Sequence, residues 1–368
     1  MIDVRELLPN FRQADAQAYI ETYPFEELRY QSAFPLMFQP DLTWKGIEAN
    51  FGAKVMADVV AFNSRAPRKG RATPTKISGD IPKIEIARDK VETDFNTLRS
   101  LQNAINDLPP GPTRKQAMQR ILDWHYDDQT FVRNGVEAKL EWIAKQISST
   151  GKYSLALINN EAGVQTKVDV DFGIPASQIV NASKDWSDPT ADIIGDIKAR
   201  KNAAKPRGRK LLYMTMEEDT FDNIAANEAF QKFCATYVEN ALALQRNPDL
   251  ATANAALRRQ GYPTIVIWES DMVQEGKDGT QTVVSGWQKG NVVFHETAQL
   301  GNTQYTLSAD EFVQAGVAQK TKSGIVLIKT WGLEDPITVV TKGVAYATPV
   351  LNNSRNIHIL KTSLTPTT

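Results

Sequence analysis

Hydrophobic positions along the chain fall into two regimes. In residues 92–150 they recur at helical spacing. Phe95, Leu98, Leu101 and Ile105 mark one helix over Asp94–Asn106, stopped by Pro109, Pro110 and Pro112. A second stripe runs through Met118, Ile121, Leu122, Val132, Val136, Leu140, Ile143 and Ile147. It predicts a helix capped by Thr113 and running to about Ser149 (113–150 at its widest), roughly 50 Å long at 1.5 Å per residue. Gly135 offers a point of bending and Gly151 ends the helix. Elsewhere the pattern is short, β-branched and often alternating. Lys54–Phe62 and Lys83–Val91 read as two strands of a long hairpin arm. Tyr153–Ile158 and Gln165–Phe172 read as a second hairpin, the latter with Thr166, Val168, Val170 and Phe172 on one face.

Beyond residue 173 strands and helices alternate, which predicts an α/β domain over 173–351. Its helices are expected near Pro189–Lys201, Asp219–Val238 and Leu250–Arg259. Its strands are expected at Lys210–Met216, Thr264–Glu269, Thr280–Ser285, Asn291–Glu296, Gly324–Thr330 and Ile337–Thr341, with a last one at Ile357–Lys361. Residues 1–50 carry prolines at 9, 24, 35 and 40 among many aromatics, the pattern of an irregular arm with short helical pieces packed along something else.

The 368 residues include 42% hydrophobic and 23% charged positions, ordinary for a folded protein and enough for two linked domains. Formal net charge is −1, so no global pull towards nucleic acid or an anionic membrane exists. Charge is concentrated locally instead. Between the arm strands, Arg65, Arg68, Lys69, Arg71 and Lys76 face the single acid Asp80, with Pro67, Gly70, Pro74 and Gly79 holding the stretch open. A basic run also follows at Lys198–Lys210. A lone cysteine, Cys234, excludes an internal disulfide and reads as a small buried thiol. Met1–Ile20 has Asp3, Arg5 and Glu6 and no apolar run, so no secretory signal is expected.

Catalytic chemistry has little to stand on. His125, His295 and His358 are scattered without spaced partners, and read as packed or surface residues. The pairs Asp127–Asp128 and Glu217–Glu218 read as solvated charge, because adjacent helical positions point apart. Asp271, Glu275 and Asp278 near Gly276 and Gly279 read as a turn. No catalytic residue, cofactor or metal is expected.

Four blocks in the C-terminal half carry a resemblance. They are Tyr262–Glu269 (YPTIVIWE), Gly286–Thr306 (GWQKGNVVFHETAQLGNTQYT), Lys329–Pro336 (KTWGLEDP) and Ala347–Lys361 (ATPVLNNSRNIHILK). In that order they resemble the closing blocks of the phage lambda-type major capsid family. There a Trp-x-x-x-Asp-Pro segment (here Trp331, Asp335 and Pro336) precedes a Pro-Val-Leu step (here Pro349) into the final strand. Gly290 and Pro336 are expected to mark turns, and Pro349 the entry to the last strand.

The resemblance implies a mixed α+β and α/β chain with the fold shared by tailed phages and herpesviruses. On that reading 1–53 is an N-terminal arm and 54–91 an extended hairpin loop. Residues 92–184 form a peripheral domain around the spine helix, 185–350 an axial domain, and 351–368 a strand and tail returning to the peripheral domain. The implied role is the head protein of a tailed bacteriophage, assembled in the host bacterial cytoplasm into hexamers and pentamers of a virion shell. Its partner is chiefly itself, with scaffolding, portal and decoration proteins beside it. Double-stranded DNA would be enclosed without specific binding, and no membrane is involved. The basic arm residues would contact a neighbouring subunit. A tail-tube or decoration subunit is the competing reading, disfavoured by the long helix and α/β domain; an enzyme comes third and a nucleic-acid-binding protein fourth.

Overall fold

The long helix organises the molecule. In a computed structural model, which describes residues 3–8, 12–48, 59, 75–154, 169–235, 247–276, 278–313 and 318–364, it spans Pro112–Thr150. Pro112 takes the first helical position, where its missing N–H costs nothing. Thr113 is therefore inside the helix, not its cap; Gly111 holds the cap position and offers no side-chain hydrogen bond. At the other end Gly151 adopts φ 72° and its N–H returns to Ile147 O at 2.8 Å. Val132, Val136, Leu140, Ile143 and Ile147 are buried, whereas Met118 and Leu122 near the start stay exposed. The preceding helix, Glu92–Asn106, packs on the long one.

A six-stranded sheet lies against the buried part of this helix. Its central strand, Thr338–Leu351, runs 14 residues and pairs antiparallel with Val326–Leu333, Lys83–Val91 and Gly301–Thr306. Gln319–Ser323 forms one margin, and Leu36–Phe38 adds a parallel strand at the other. Two glycines allow the close approach. A Cβ on Gly343 would lie 2.9 Å from the Val132 carbonyl oxygen, and one on Gly135 2.9 Å from Ile86 Cδ1.

Lys83–Val91 is thus a strand, and its partner among the described residues is the central strand. The pairing brings Ile84 and Ile86 onto the helix-facing core, which a projecting hairpin could not do. Apart from Val59, residues 54–62 lie outside the described residues. The described ribbon pairs Thr43–Glu48 with Thr75–Asp80 instead. In the second predicted hairpin, Lys152–Ser154 pairs with Asp169–Asp171, and 155–168 lie outside the described residues.

A second, five-stranded sheet has the order Ile179–Asn181, His358–Lys361, Asn291–His295, Tyr213–Met216, Thr264–Ile267. Its core joins these strands to the helices Ile193–Ala204, Glu218–Ala226, Glu228–Ala235 and Leu250–Arg259. The single helix expected over Asp219–Val238 is two. Asn227 is extended between them: its Nδ2 donates to Pro189 O and Ala191 O, and its Oδ1 accepts from Phe230 N. The side chain therefore caps the second helix and pins the break.

Sheet membership also departs from the expected boundaries. The strands Gly301–Thr306, Gln319–Ser323, Val326–Leu333 and Thr338–Leu351 belong to the helix-packed sheet, not to the five-stranded one. The last strand, His358–Lys361, lies inside the five-stranded sheet between Asn291–His295 and Ile179–Asn181. Ile359 and Leu360 are both fully buried, which suits an interior strand with two covered faces. Pro349 falls within the central strand, opposite Thr303, and does not introduce the last one. It stands past the final pairs on the adjoining strands, at Val344 and Tyr346, so its missing N–H need cost no ladder bond. Pro336 does mark a turn, between Val326–Leu333 and Thr338–Leu351, and the Asp335–Pro336 bond is cis.

Candidate functional site

Two surfaces stand out: the ribbon and the junction that sets the α/β unit on the long helix. The ribbon is rooted firmly. Trp44, in its first strand, is 1% exposed, packs on Phe172 with ring centroids 5.5 Å apart, and covers Gly79 across the pair. Any Cβ at 79 would strike the indole at 2.8 Å. Gln304 then clamps the backbone of Lys45 from the sheet, accepting from its N–H at 3.0 Å and donating to its carbonyl at 2.8 Å. From this base the chain leaves at Glu48 and returns at Thr75. An isolated two-stranded ribbon is marginal in water, so such an element needs cover from another surface.

Of the residues expected to mark the arm, Lys76 lies in the returning strand opposite Ile47. Arg65, Arg68, Lys69 and Arg71 lie outside the described residues. The family-like residues are positioned differently. Trp331 sits on Val326–Leu333 opposite Val340, with the Lys329 ammonium 5.8 Å from its ring centre. Asp335 and Pro336 form the next turn, and Pro349 is embedded in the sheet. These four residues share one sheet and its turn but do not converge on a pocket.

The junction was not visible in the sequence. Glu141 and Lys145, one turn apart on the long helix, are both 0% exposed. Glu141 Oε1 accepts from Trp268 Nε1 and Ser270 Oγ, each at 2.6 Å, and Oε2 from Tyr30 N at 2.8 Å. Lys145 Nζ donates to Ser270 O at 2.9 Å and Ser285 Oγ at 3.1 Å. Ser285 Oγ in turn donates to Glu217. Burial lowers the Lys145 ammonium below the usual lysine range, opposed by Glu217, Glu269, Asp271 and Glu141; burial raises Glu217. Glu137 accepts from the Tyr30 hydroxyl a turn earlier. The network grips Ser270 and Ser285, the two ends of the hairpin Met272–Glu275 with Gln281–Val284. Its only signal in the sequence is a Glu–Lys pair at i,i+4 amid apolar neighbours, which elsewhere would be solvated.

Two expectations of solvated acid are corrected. Asp128 is 3% exposed and bound to the Lys90 ammonium, while Asp127 is exposed and meets Arg88 at 2.9 Å. Glu217 is buried against Ser285, and Glu218 stays exposed. The histidines are packed. His295 is held by Thr215 Oγ1 and Thr297 O, both at 2.7 Å, and burial lowers it to about 4; burial does the same to His358, beside Gln178. His125 is lowered too, by burial and then Lys90. Burial pushes the Cys234 thiol up to about 11, the behaviour of a packed side chain and not a nucleophile. No helix among the described residues is long and apolar enough to cross a membrane.

Comparison with known proteins gives these features a context. The family model described as phage major capsid protein E matches residues 46–361. A solved structure of a protein assigned as a prophage capsid protein in Escherichia coli CFT073 is 16% identical, with a TM-score of 0.58 over 96% of this chain and 99% of that one. A phage-related protein from Bordetella bronchiseptica RB50 is 13% identical, with a TM-score of 0.52 over 95% and 96%. At such identities these two likenesses bear on the fold alone. No curated protein matches the chain.

Proposed function

Because the chain belongs to the phage major capsid protein E family, and so is a structural subunit of a phage capsid shell and not an enzyme, we propose that the ribbon rooted at Thr43–Glu48 and Thr75–Asp80 is the arm by which one copy overlaps the next. The observation that carries this reading is the base of the ribbon. Trp44 and Gln304 fix both strands at that base, between which 26 residues of sequence, 49–74, are inserted. A fixed lever laid over a neighbour supplies the head-to-tail contact that closes rings, and many modest contacts hold a shell together.

In this reading the long helix and six-stranded sheet form the peripheral part of each subunit, and the five-stranded unit lies towards the centre of hexamers and pentamers. The cations Arg65, Arg68, Lys69, Arg71 and Lys76 dock the arm on an acidic surface of the adjacent copy. Scaffolding, portal and decoration proteins are the further partners such a role calls for, with DNA enclosed and not specifically read. Replacing all five cations with serine tests it. The variant should keep the melting behaviour of the wild-type subunit but fail to yield closed particles by electron microscopy; particles at wild-type yield would contradict the arm assignment.

A further inference from the structure

The parallel pair Tyr213–Met216 and Thr264–Ile267 gives the α/β unit a direction. Both strands are entered from basic segments. Lys205, Arg207 and Lys210 precede the first, and Arg258 precedes the second. Lys201 donates to Gly261 O, which brings the C-terminal ends of Ile193–Ala204 and Leu250–Arg259 together. Lys198, Lys205, Arg207, Lys210 and Arg258 are all exposed, and none has an ion pair among the described residues. Helix macrodipoles favour cations at these helix ends, yet that effect fades within a turn. Arg207 and Lys210 lie beyond any α-helix, so it does not account for them.

Both strands leave into acid. Glu218 and Asp219 follow the first, Asp219 meeting Lys289 at 3.1 Å, and Glu269 and Asp271 follow the second. The Glu218 N–H donates to Glu269 Oε2 at 3.1 Å, tying the two exits into one surface. The hairpin Met272–Glu275 with Gln281–Val284 carries this surface outward. Glu275 and Asp278 are exposed on it, and Val273 faces Val283 across the pair at 61% and 66% exposure. Lys145 and Glu141 lock both ends of this hairpin, so the acidic end is a fixed projection.

The two ends are separated by roughly 10 Å of strand plus the flanking loops, more than a Debye length of about 8 Å at physiological ionic strength. They therefore do not neutralise one another within a copy, and the chain's net charge of −1 conceals them. An object positive at one end and negative at the other is complementary to a second copy placed head to tail. We propose that the basic end of one α/β unit docks on the acidic hairpin of the next copy around a capsomer ring, with the Val273–Val283 pair packed inside the contact. The inference rests on the capsid reading and names a contact separate from the ribbon.

Charge reversal at each end, alone and together, tests it. One variant carries Lys205→Glu, Arg207→Glu and Arg258→Glu; another carries Glu275→Lys and Asp278→Lys, both exposed on the hairpin and clear of Lys145; a third carries all five. Particle yield is read by sedimentation and microscopy, and folding by thermal melting of the unassembled subunit. Each single-end variant should melt like wild type yet lose particles roughly tenfold or more, because both its ends now share one sign. The five-fold variant restores opposite signs and should recover most of the yield. Normal assembly of either single-end variant would overturn the proposal, as would failure of the five-fold variant to recover while still folded. Basic-end variants that assemble normally but enclose less DNA would assign those cations to the inner wall instead. Wild-type protein that forms no particles, alone or with the neighbouring phage genes co-expressed, would overturn assembly by contacts between copies of this chain, and this proposal with it.

Discussion

The two halves of the molecule solve the same problem in opposite ways. The helix-and-sheet body gathers its core from Ile20 to Ile359 and buries charge inside it: Lys90 with Asp128, Glu137 with Tyr30, and Glu141 and Lys145 at the junction. The α/β unit takes almost all of its core from residues 182–294. Its buried acids among the described residues are Asp196, which accepts from Trp186 Nε1 at 3.0 Å, and Glu217 at the junction itself; the rest of its described charge is half-buried or exposed. Buried ions contribute little net stability but are costly to leave unpaired, so they penalise wrong arrangements. A body assembled from distant segments needs that penalty. A unit built from local strand–helix repeats does not, and its charge is free for contacts with other copies.

The sharpest way to break the contrast is to remove a buried acid from the body. Glu141→Ala strands the Trp268 indole N–H, the Ser270 hydroxyl and the Tyr30 amide together, and should cost about 3–5 kcal/mol in urea unfolding of the unassembled subunit. A loss under about 1 kcal/mol would mean that the junction holds nothing in place.

Acid should act on the other half. His295 and His358 both belong to the five-stranded sheet, and both are lowered to about 4 by burial. Their folded pKa lies below the unfolded value of 6.5, so the unfolded chain gains protons first as pH falls. Stability is fully present above about 6.5 and declines towards pH 4, by roughly 3 kcal/mol for His295 alone. Hydrogen exchange should therefore rise in Asn291–His295 and His358–Lys361 before it rises in Thr338–Leu351; the reverse order would contradict the packing of these imidazoles.

Packing in the body gives a smaller effect. Gly343→Ala sets a methyl 2.9 Å from the Val132 carbonyl oxygen, where helix and central strand touch, and should cost about 1–3 kcal/mol by thermal or urea unfolding. Smallest is Lys198→Ala on the α/β surface, expected within about 0.5 kcal/mol of wild type in the same unfolding measurement.

Much of this architecture was legible because it is local. The stripe from Met118 to Ile147 predicted the long helix almost to the residue, and Gly151 its end. What stayed hidden depends on distance along the chain. Lys83–Val91 announces a strand, but nothing in its residues names a partner some 255 positions away, and a nearby hairpin is the cheaper loop to close. His358–Lys361 could not be placed in either sheet without knowing which one had a gap. Glu141 and Lys145 drew no reading from the sequence, because a three-and-four stripe cannot reveal a helix covered all round. The Asn227 break was readable in principle, since Asn followed by Glu and Ala starts a helix as well as it interrupts one. The basic arm residues remain the least tied to geometry, because only Lys76 of the five falls on a described strand.

The central claim is that copies of this chain overlap through the ribbon. Electron cryo-microscopy of particles formed by the expressed protein tests it most directly. The account predicts shells in which density continuing from Glu48 and Thr75 lies across an adjacent copy. Density folded back on its own sheet, with neighbours meeting elsewhere, would contradict it.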